Sequence, residues 1–508
     1  MRTKKAGRNF IIGFLTVLIG LIPTLFLRQV FLETLGTELL GLSSLYTSII
    51  GMLALAELGI TTAIIYSLYK PFAEGDREKI RGYIKFYTRF YQAVGLAIFI
   101  LGLALLPFLN FFVQDDINLV DAQLYFLLFL SNSILSYFFT AKLSIIIVAQ
   151  EGYKLAIAMA VSKLVAALLQ IAMLNFYPSF YFFLVIQLVV GMLYLIVMNL
   201  YVRKRYEWLY EGKAKIEKED KNSLIKNIKA LFLHKIGEVV VFSTDNLVIS
   251  YYINLTVVGI FNSYNMIVAA ISGMIYTGLN GITASIGNLL VDGQEDQVYQ
   301  VHKKVFFFSF WIVSFSVISL SNTIRQFVLL WLGDTQFLDT FTISLILLNF
   351  YFSLMRASVE KFKEAGGLHY QDRFAPLIEA FINLIASLIL VRYMGLPGVF
   401  IGTLISNLLV VFWVKPLVVY KYIFKVKLRW YFVMYFKYFS LGIIPLLLTY
   451  FATRELQQVI TINAFLLNCM INIVIINSVY FIIFRNYEEF HYFKNLIWGK
   501  LRRSNNGS

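Results

Sequence analysis

The sequence predicts an all-α, polytopic membrane protein of about fourteen transmembrane helices, divided by a polar linker into a first group of six and a second of eight. Three observations predict it. First, the chain of 508 residues is 59% hydrophobic and only 14% charged, with a mean hydropathy of +0.73, whereas soluble chains carry about 25% charge. Second, apolar runs of about 20 residues or more, the length that crosses a bilayer, recur from end to end. Third, Lys and Arg fall on alternate connections. Four lie at outer span ends (Arg28, Arg325, Arg392, Arg454) and four within spans (Lys142, Lys163, Lys235, Lys437); the rest of the 44 lie on the inner side or at inner span ends when the N-terminus is placed in the cytoplasm. That bias persists to the C-terminus, so both termini are expected to be cytoplasmic.

The runs occupy approximately 9–32, 39–68, 86–112, 122–148, 154–176, 179–201, 229–252, 256–290, 304–326, 338–362, 374–393, 397–420, 430–452 and 461–484. The basic start Met1–Arg8 resembles the head of a signal peptide. The run behind it exceeds twenty residues with no small-x-small cleavage site, so it reads as an uncleaved first span. The connections assigned to the outside are short. The longest polar segment, RKRYEWLYEGKAKIEKEDKNSLIKNIK at 203–229, joins the two groups of spans. The halves echo one another. GLSSLYTSIIGM at 41–52 resembles GIFNSYNMIVAA at 259–270, with Gly41/Gly259 and Tyr46/Tyr264 in step, and LGITTAI at 58–64 resembles NGITASI at 280–286. A six-span repeat preserves orientation, as in transporters built from parallel halves. The expected divisions are a first lobe at 1–202, a linker at 203–228, a second lobe at 229–425, and two final helices with a tail at 426–508.

Ionisable groups within spans are costly and therefore informative. In span seven His234, Glu238, Val241 and Asp245 share one helical face, with Lys235 at its edge; Val239, Val240 and Leu247 line the opposite side. The stripe must face protein or water. It is either a structural network in which Lys235 pairs Glu238, or a polar wall in which Glu238 or Asp245 takes a proton or cation. Glu57, on a stripe with Thr47, Ala54 and Thr61, is a second carboxylate at depth. It either hydrogen-bonds a neighbouring helix or serves function. Arg28, Lys142, Lys163 and Arg356 are cations at depth; Lys142 and Lys163 have the inner-end placement of snorkelling side chains, and Arg suits an anionic head group by its forked donors. Gly398, Gly402 and Ser406 share a face that permits close helix approach. The single cysteine, Cys469, excludes an intramolecular disulfide. No Gly-rich phosphate loop, paired Cys/His spacing or nucleophile motif occurs, so no cofactor, metal or enzymatic catalysis is expected. The net charge of +15 is spread over membrane-flanking loops and gives no nucleic-acid footprint.

Three segments carry a family likeness: LAELGITTAIIYSLYKPFAEGDREKI at 55–80, STDNLVISYYINLTVVGIFNSY at 243–264, and LIEAFINLIASLILVRYMGLPGVFIGTLIS at 377–406 with KPLVVYKYIFK at 415–425. With the span count and central linker, the chain resembles the Wzx-type polysaccharide repeat-unit flippases of the multidrug/oligosaccharidyl-lipid/polysaccharide exporter superfamily. The resemblance implies two six-helix lobes around a central cavity plus two C-terminal helices, in a bacterial cytoplasmic membrane. It implies flipping of undecaprenyl-diphosphate-linked oligosaccharide from inner to outer leaflet for capsule, O-antigen or similar polysaccharide, by alternating access with H⁺ or Na⁺ as coupling ion. Membrane lipids and a polysaccharide polymerase and export machinery would be its partners. On this reading Arg28, Glu57, Lys142, Lys163, His234, Lys235, Glu238 and Arg356 are substrate-cavity candidates, and Glu57, Glu238 and Asp245 are ion-coupling candidates. The alternatives are a lipid II-type flippase with the same fold and a different sugar, a cation-coupled multidrug antiporter of the same superfamily, and a membrane glycan polymerase or ligase. The last would present its catalytic residues in a large outer loop, and no such loop occurs.

Overall fold

The computed structural model describes residues 2–54, 60–113, 117–211, 216–222, 224–225, 243–292, 295–368 and 370–495. Among them all regular structure is helical. In order, the helices are α1 (Arg2–Leu53), α2 (Ile60–Glu74), α3 (Arg77–Leu105), α4 (Leu119–Val148), α5 (Gly152–Phe176), α6 (Phe180–Arg205), α7 (243–252), α8 (Leu255–Asp292), α9 (Glu295–Leu332), α10 (Thr340–Ala365), α11 (Ala375–Met394), α12 (Leu396–Ser406), α13 (Phe412–Val419), α14 (Arg429–Thr453) and α15 (Ile462–Phe484). Eleven spans among the described residues are long and apolar enough to cross a membrane, and they coincide with eleven of the expected runs. The expected runs at 9–32, 39–68 and 229–252 fall on α1, α2, α7 and residues outside the described set.

Local chemistry places the breaks. α1 passes through the first expected run and into the second, and its one non-helical residue is Gly36, at φ +82°. That conformation is open to glycine and strained for other residues, so the bend lies in the gap left between the two apolar runs. Asp76 caps α3 by accepting from the Lys79 amide at 2.9 Å, Asn118 caps α4 from Val120 at 3.0 Å, and Asp339 caps α10 from Thr342 at 2.9 Å. The run expected at 397–420 is not a uniform α-helix. π-helical turns at Asn407–Val411 and Tyr420–Phe424 flank α13, which contains Pro416. Proline lacks the amide that would continue the ladder, and wider turns absorb the mismatch.

The chain forms two compact units, Met1–Ser263 with Pro376–Val399, and Tyr264–Ala375 with Phe400–Ser508. In the first, α1 packs along α5, and α4 lies against both α3 and α6. The linker's described residues belong to this unit. Arg81 donates to the carbonyls of Trp208 at 3.3 Å and Glu211 at 2.7 Å, Lys79 pairs with Asp220 at 3.0 Å, and Leu224 is buried.

Among the described glycines, the closest backbone approach also lies in the first unit. A β-carbon added to Gly41 would lie 1.8 Å from the Leu255 carbonyl oxygen, and one added to Gly259 would lie 2.4 Å from that of Thr37. The two glycines that echo one another in sequence thus meet where α1 and α8 cross. The echoing tyrosines also do parallel work. Tyr46 donates to the Ala122 carbonyl near the start of α4 at 2.7 Å, and in the second unit Tyr264 accepts from the Leu338 amide just before α10 at 3.1 Å. Spans four and ten stand six apart, as the repeat requires. Gly398 meets its expectation as well: its β-carbon would fall 2.3 Å from the Leu390 carbonyl oxygen.

In the second unit α9 packs against α10, α14 and α15. The α9–α14–α15 seam is closed by carboxamides. Asn322 donates to Thr449 Oγ1 at 2.9 Å and to Asn472 Oδ1 at 2.8 Å; Asn468 donates to Gln326 Oε1 at 2.7 Å and to the Asn322 carbonyl at 2.9 Å. All five side chains are buried. Hydrogen bonds between spans contribute about 0.6 to 2 kcal/mol each. Asn322→Ala breaks two such bonds and a third accepted from Gln457 at 3.2 Å, and strands their partners, so it is expected to lower the thermal unfolding midpoint of the purified protein by several degrees. Asn477→Ala, which loses an exposed bond to its own helix and one from Trp311, should cost less.

Candidate functional site

Two polar clusters stand out in the apolar bundle, one within each unit. The first is built where α7 packs against the second half of α1. Asn246 donates to Ser48 Oγ at 2.8 Å and accepts from Asn262 of α8 at 3.1 Å. Beside it Thr244 and Asp245 are buried, with Asp245 only 8% exposed. One carboxylate oxygen of Asp245, Oδ1, is sealed from solvent and has no hydrogen-bond partner among the described residues. A buried acceptor without a donor is costly, and a proton or small cation would satisfy it. On the neighbouring face Arg28 donates to Ser263 Oγ through two nitrogens, at 3.3 and 3.1 Å, and to the Gly259 carbonyl at 3.5 Å. Arg28 thus ties α1 to α8 at the glycine crossing.

The second cluster lies near the C-terminal end of α10. Arg356 donates through Nε to Glu360 Oε1 at 3.0 Å, and Lys415 of α13 reaches the same oxygen. The three side chains are only 13%, 17% and 16% exposed. Two cations share one carboxylate within a largely desolvated site. Just beyond, Lys363 pairs with the fully buried Asp372, and Lys361 with Glu364 at 2.7 Å. By contrast, Lys425 and Glu295 pair while more than half exposed, where an ion pair contributes little.

The structure sorts the residues singled out from the sequence. Arg28, Asp245 and Arg356 are in the clusters just described. Lys142 is half-buried, with its ammonium 5.0 Å from the ring centre of Tyr210 beyond the end of α6, a cation–π contact. Lys163 is exposed on α5. Glu57, His234, Lys235 and Glu238 lie outside the described residues. Among the described residues no three or more His, Cys, Asp or Glu side chains converge on a point that could hold a metal.

Sequence reasoning missed Glu360 and Lys415. The Arg356–Glu360 spacing of four was a usable signal, since such residues are neighbours on a helix; Lys415 arrives from another helix and left none. It also missed Asn246, Asn262 and Ser48, and His302. His302 is fully buried in α9 among Phe362, Tyr420 and Phe424, with its Nε2 at 3.2 Å from the Tyr420 hydroxyl.

No protein-family model matches the chain, and no curated protein matches it. Solved structures do. The lipid II flippase MurJ, in an inward closed conformation, superposes with a TM-score of 0.67 at 14% identity, covering 94% of this chain and 98% of that one. An inward-facing multidrug resistance MATE family transporter of the MOP superfamily gives 0.61 at 14% identity, covering 79% and 95%. A Vibrio cholerae MATE transporter, VcmN, gives 0.56 at 13% identity, covering 84% and 99%. At these identities the likeness shows a shared fold.

Proposed function

We propose that the chain is a flippase that carries an undecaprenyl-diphosphate-linked oligosaccharide from the inner to the outer leaflet of a bacterial cytoplasmic membrane, for assembly of a cell-surface polysaccharide. The observation that carries this reading is the extent of the shared fold. The flippase neighbour is matched along 94% of this chain, against 79% and 84% for the two drug transporters. Chemistry supports the same choice. The diphosphate is the part of such a cargo that hydrocarbon resists most, and Arg356 and Lys415 of the second unit are half-buried cations whose donors suit a phosphate oxygen. Arg28 and Asp245 take different roles in this proposal. Arg28 positions α8 through Ser263, and Asp245 binds the coupling ion, H⁺ or Na⁺, at its unpartnered oxygen.

The test is complementation of cells deleted for their own repeat-unit flippase, supplied with a matched repeat unit, with membrane abundance followed in parallel. The wild-type chain should restore surface polysaccharide. Asp245→Asn should reach the membrane at normal level and cut surface polysaccharide at least tenfold. Restored resistance to cationic drugs without restored polysaccharide would instead select the antiporter.

A further inference from the structure

We propose that a groove on the second unit binds a bilayer phospholipid with an anionic head group, one acyl chain lying along the groove and the phosphate meeting Arg325. The groove encloses about 320 Å³ between α9, α10 and α14. Its walls are apolar over most of their length, through Phe310 and Ile318 of α9, Ile343 and Leu347 of α10, and Ile443 and Leu446 of α14. Ser314, Ser321, Ser344 and Tyr351 also line the slot, and its one charged lining residue, Arg325, stands with Thr340 and Gln457 at the end formed by the end of α9, the start of α10 and the turn after α14. That is the end the charge distribution assigns to the outer leaflet.

Size and charge define the occupant. Along α9 the lining runs from Phe310 to Arg325, fifteen residues or about 22 Å at the helical rise. One leaflet of hydrocarbon is about 15 Å deep. A single phospholipid chain, anchored by its head group at the interface, would occupy about the outer two-thirds of this length. The volume sits at the small end of ligand pockets, and the far longer polyprenyl chain of the proposed cargo would overrun it. Arg325 is exposed and makes no ion pair among the described residues; its guanidinium lies 5.3 Å from the ring centre of Phe337. Asp339, which caps the adjoining helix, is committed to the amide and hydroxyl of Thr342. A cation at the mouth of an apolar slot, with the adjacent carboxylate engaged elsewhere, complements a phosphodiester.

The inference is independent of the transported cargo, and so is its test. The full-length protein, purified in a mild neutral detergent, is titrated with phosphatidylglycerol, phosphatidylcholine or undecaprenyl phosphate, and bound lipid is followed by the thermal unfolding midpoint and by native mass spectrometry. Phosphatidylglycerol should raise the midpoint saturably and bind with a stoichiometry of about one. Arg325→Gln should weaken its apparent Kd about tenfold while leaving the lipid-free midpoint unchanged. Gly442→Leu, which fills the groove, should abolish the shift; Ser321→Phe, at an exposed lining position, serves if the former does not fold. Equal binding of phosphatidylcholine, an unchanged Kd in Arg325→Gln, or displacement of phosphatidylglycerol by equimolar undecaprenyl phosphate would each overturn the proposal, the last by assigning the groove to the cargo tail.

Discussion

Placing a methyl group on Gly259 is expected to cost the protein both stability and transport. The added carbon would sit 2.4 Å from the Thr37 carbonyl oxygen and 3.0 Å from its Cγ2. The first obstacle is backbone, so no rotamer change relieves it, and α1 and α8 must separate. Overpacking of this kind costs about 1–3 kcal/mol and sometimes more. The upper end applies here, because Arg28 reaches Ser263 and the Gly259 carbonyl across the same crossing. Gly41→Ala, with 1.8 Å to the Leu255 oxygen, should be worse still. Gly273 supplies the control. It lies on α8 with nothing within 4 Å of its β-carbon position, so Gly273→Ala should be neutral or gain up to about 1 kcal/mol from helix propensity. Unfolding midpoints of the three variants, beside complementation at matched abundance, decide the matter. A Gly259→Ala protein that melts with the wild type would mean the crossing is loose in the membrane.

That crossing also shows what the sequence could and could not convey. The Gly41/Gly259 and Tyr46/Tyr264 echo was legible because both members of each pair keep residue type and offset. What the echo did not say is that the glycines touch one another, or that both tyrosine hydroxyls bond backbone at the start of a later span. Spans were legible because hydrocarbon demands long uninterrupted apolar runs with every backbone group paired internally. The π-helical turns around α13 were not, since they change hydrogen-bond spacing without changing hydropathy. The polar partnerships were legible only along one helix. Asp245 was visible as an acid inside an apolar run. The partners of the next residue, Asn246, are Ser48 and Asn262 on other helices, and hydropathy does not report which helix lies against which. Nor does hydropathy report that the Lys142 ammonium lies 5.0 Å from the ring centre of Tyr210, a residue beyond another helix.

The second large effect is expected at Glu360. Glu360→Gln removes the carboxylate that Arg356 and Lys415 share and leaves two cations facing one another at about one-sixth exposure. Breaking a buried pair by deleting one partner costs about 3–5 kcal/mol, because the charge left behind is uncompensated. Lys415→Met leaves the Arg356–Glu360 pair balanced and should cost clearly less, although its stem packing is altered. The informative variant combines Arg356→Met, Glu360→Leu and Lys415→Met. Replacing a whole buried ionic cluster by apolar residues of similar volume is often neutral or stabilising, so this protein should fold and melt near the wild-type temperature. Stability and transport then part company. If Arg356 and Lys415 receive the diphosphate, the triple variant reaches the membrane and leaves surface polysaccharide at the deletion background. If it restores polysaccharide as well as wild type does, the cluster serves only to fix how α13 docks on α10, and the head group is held elsewhere. A low unfolding midpoint for Glu360→Gln beside a near-normal one for the triple variant would establish that the cluster's charges are desolvated, and complementation by the triple variant then reports on the cargo alone.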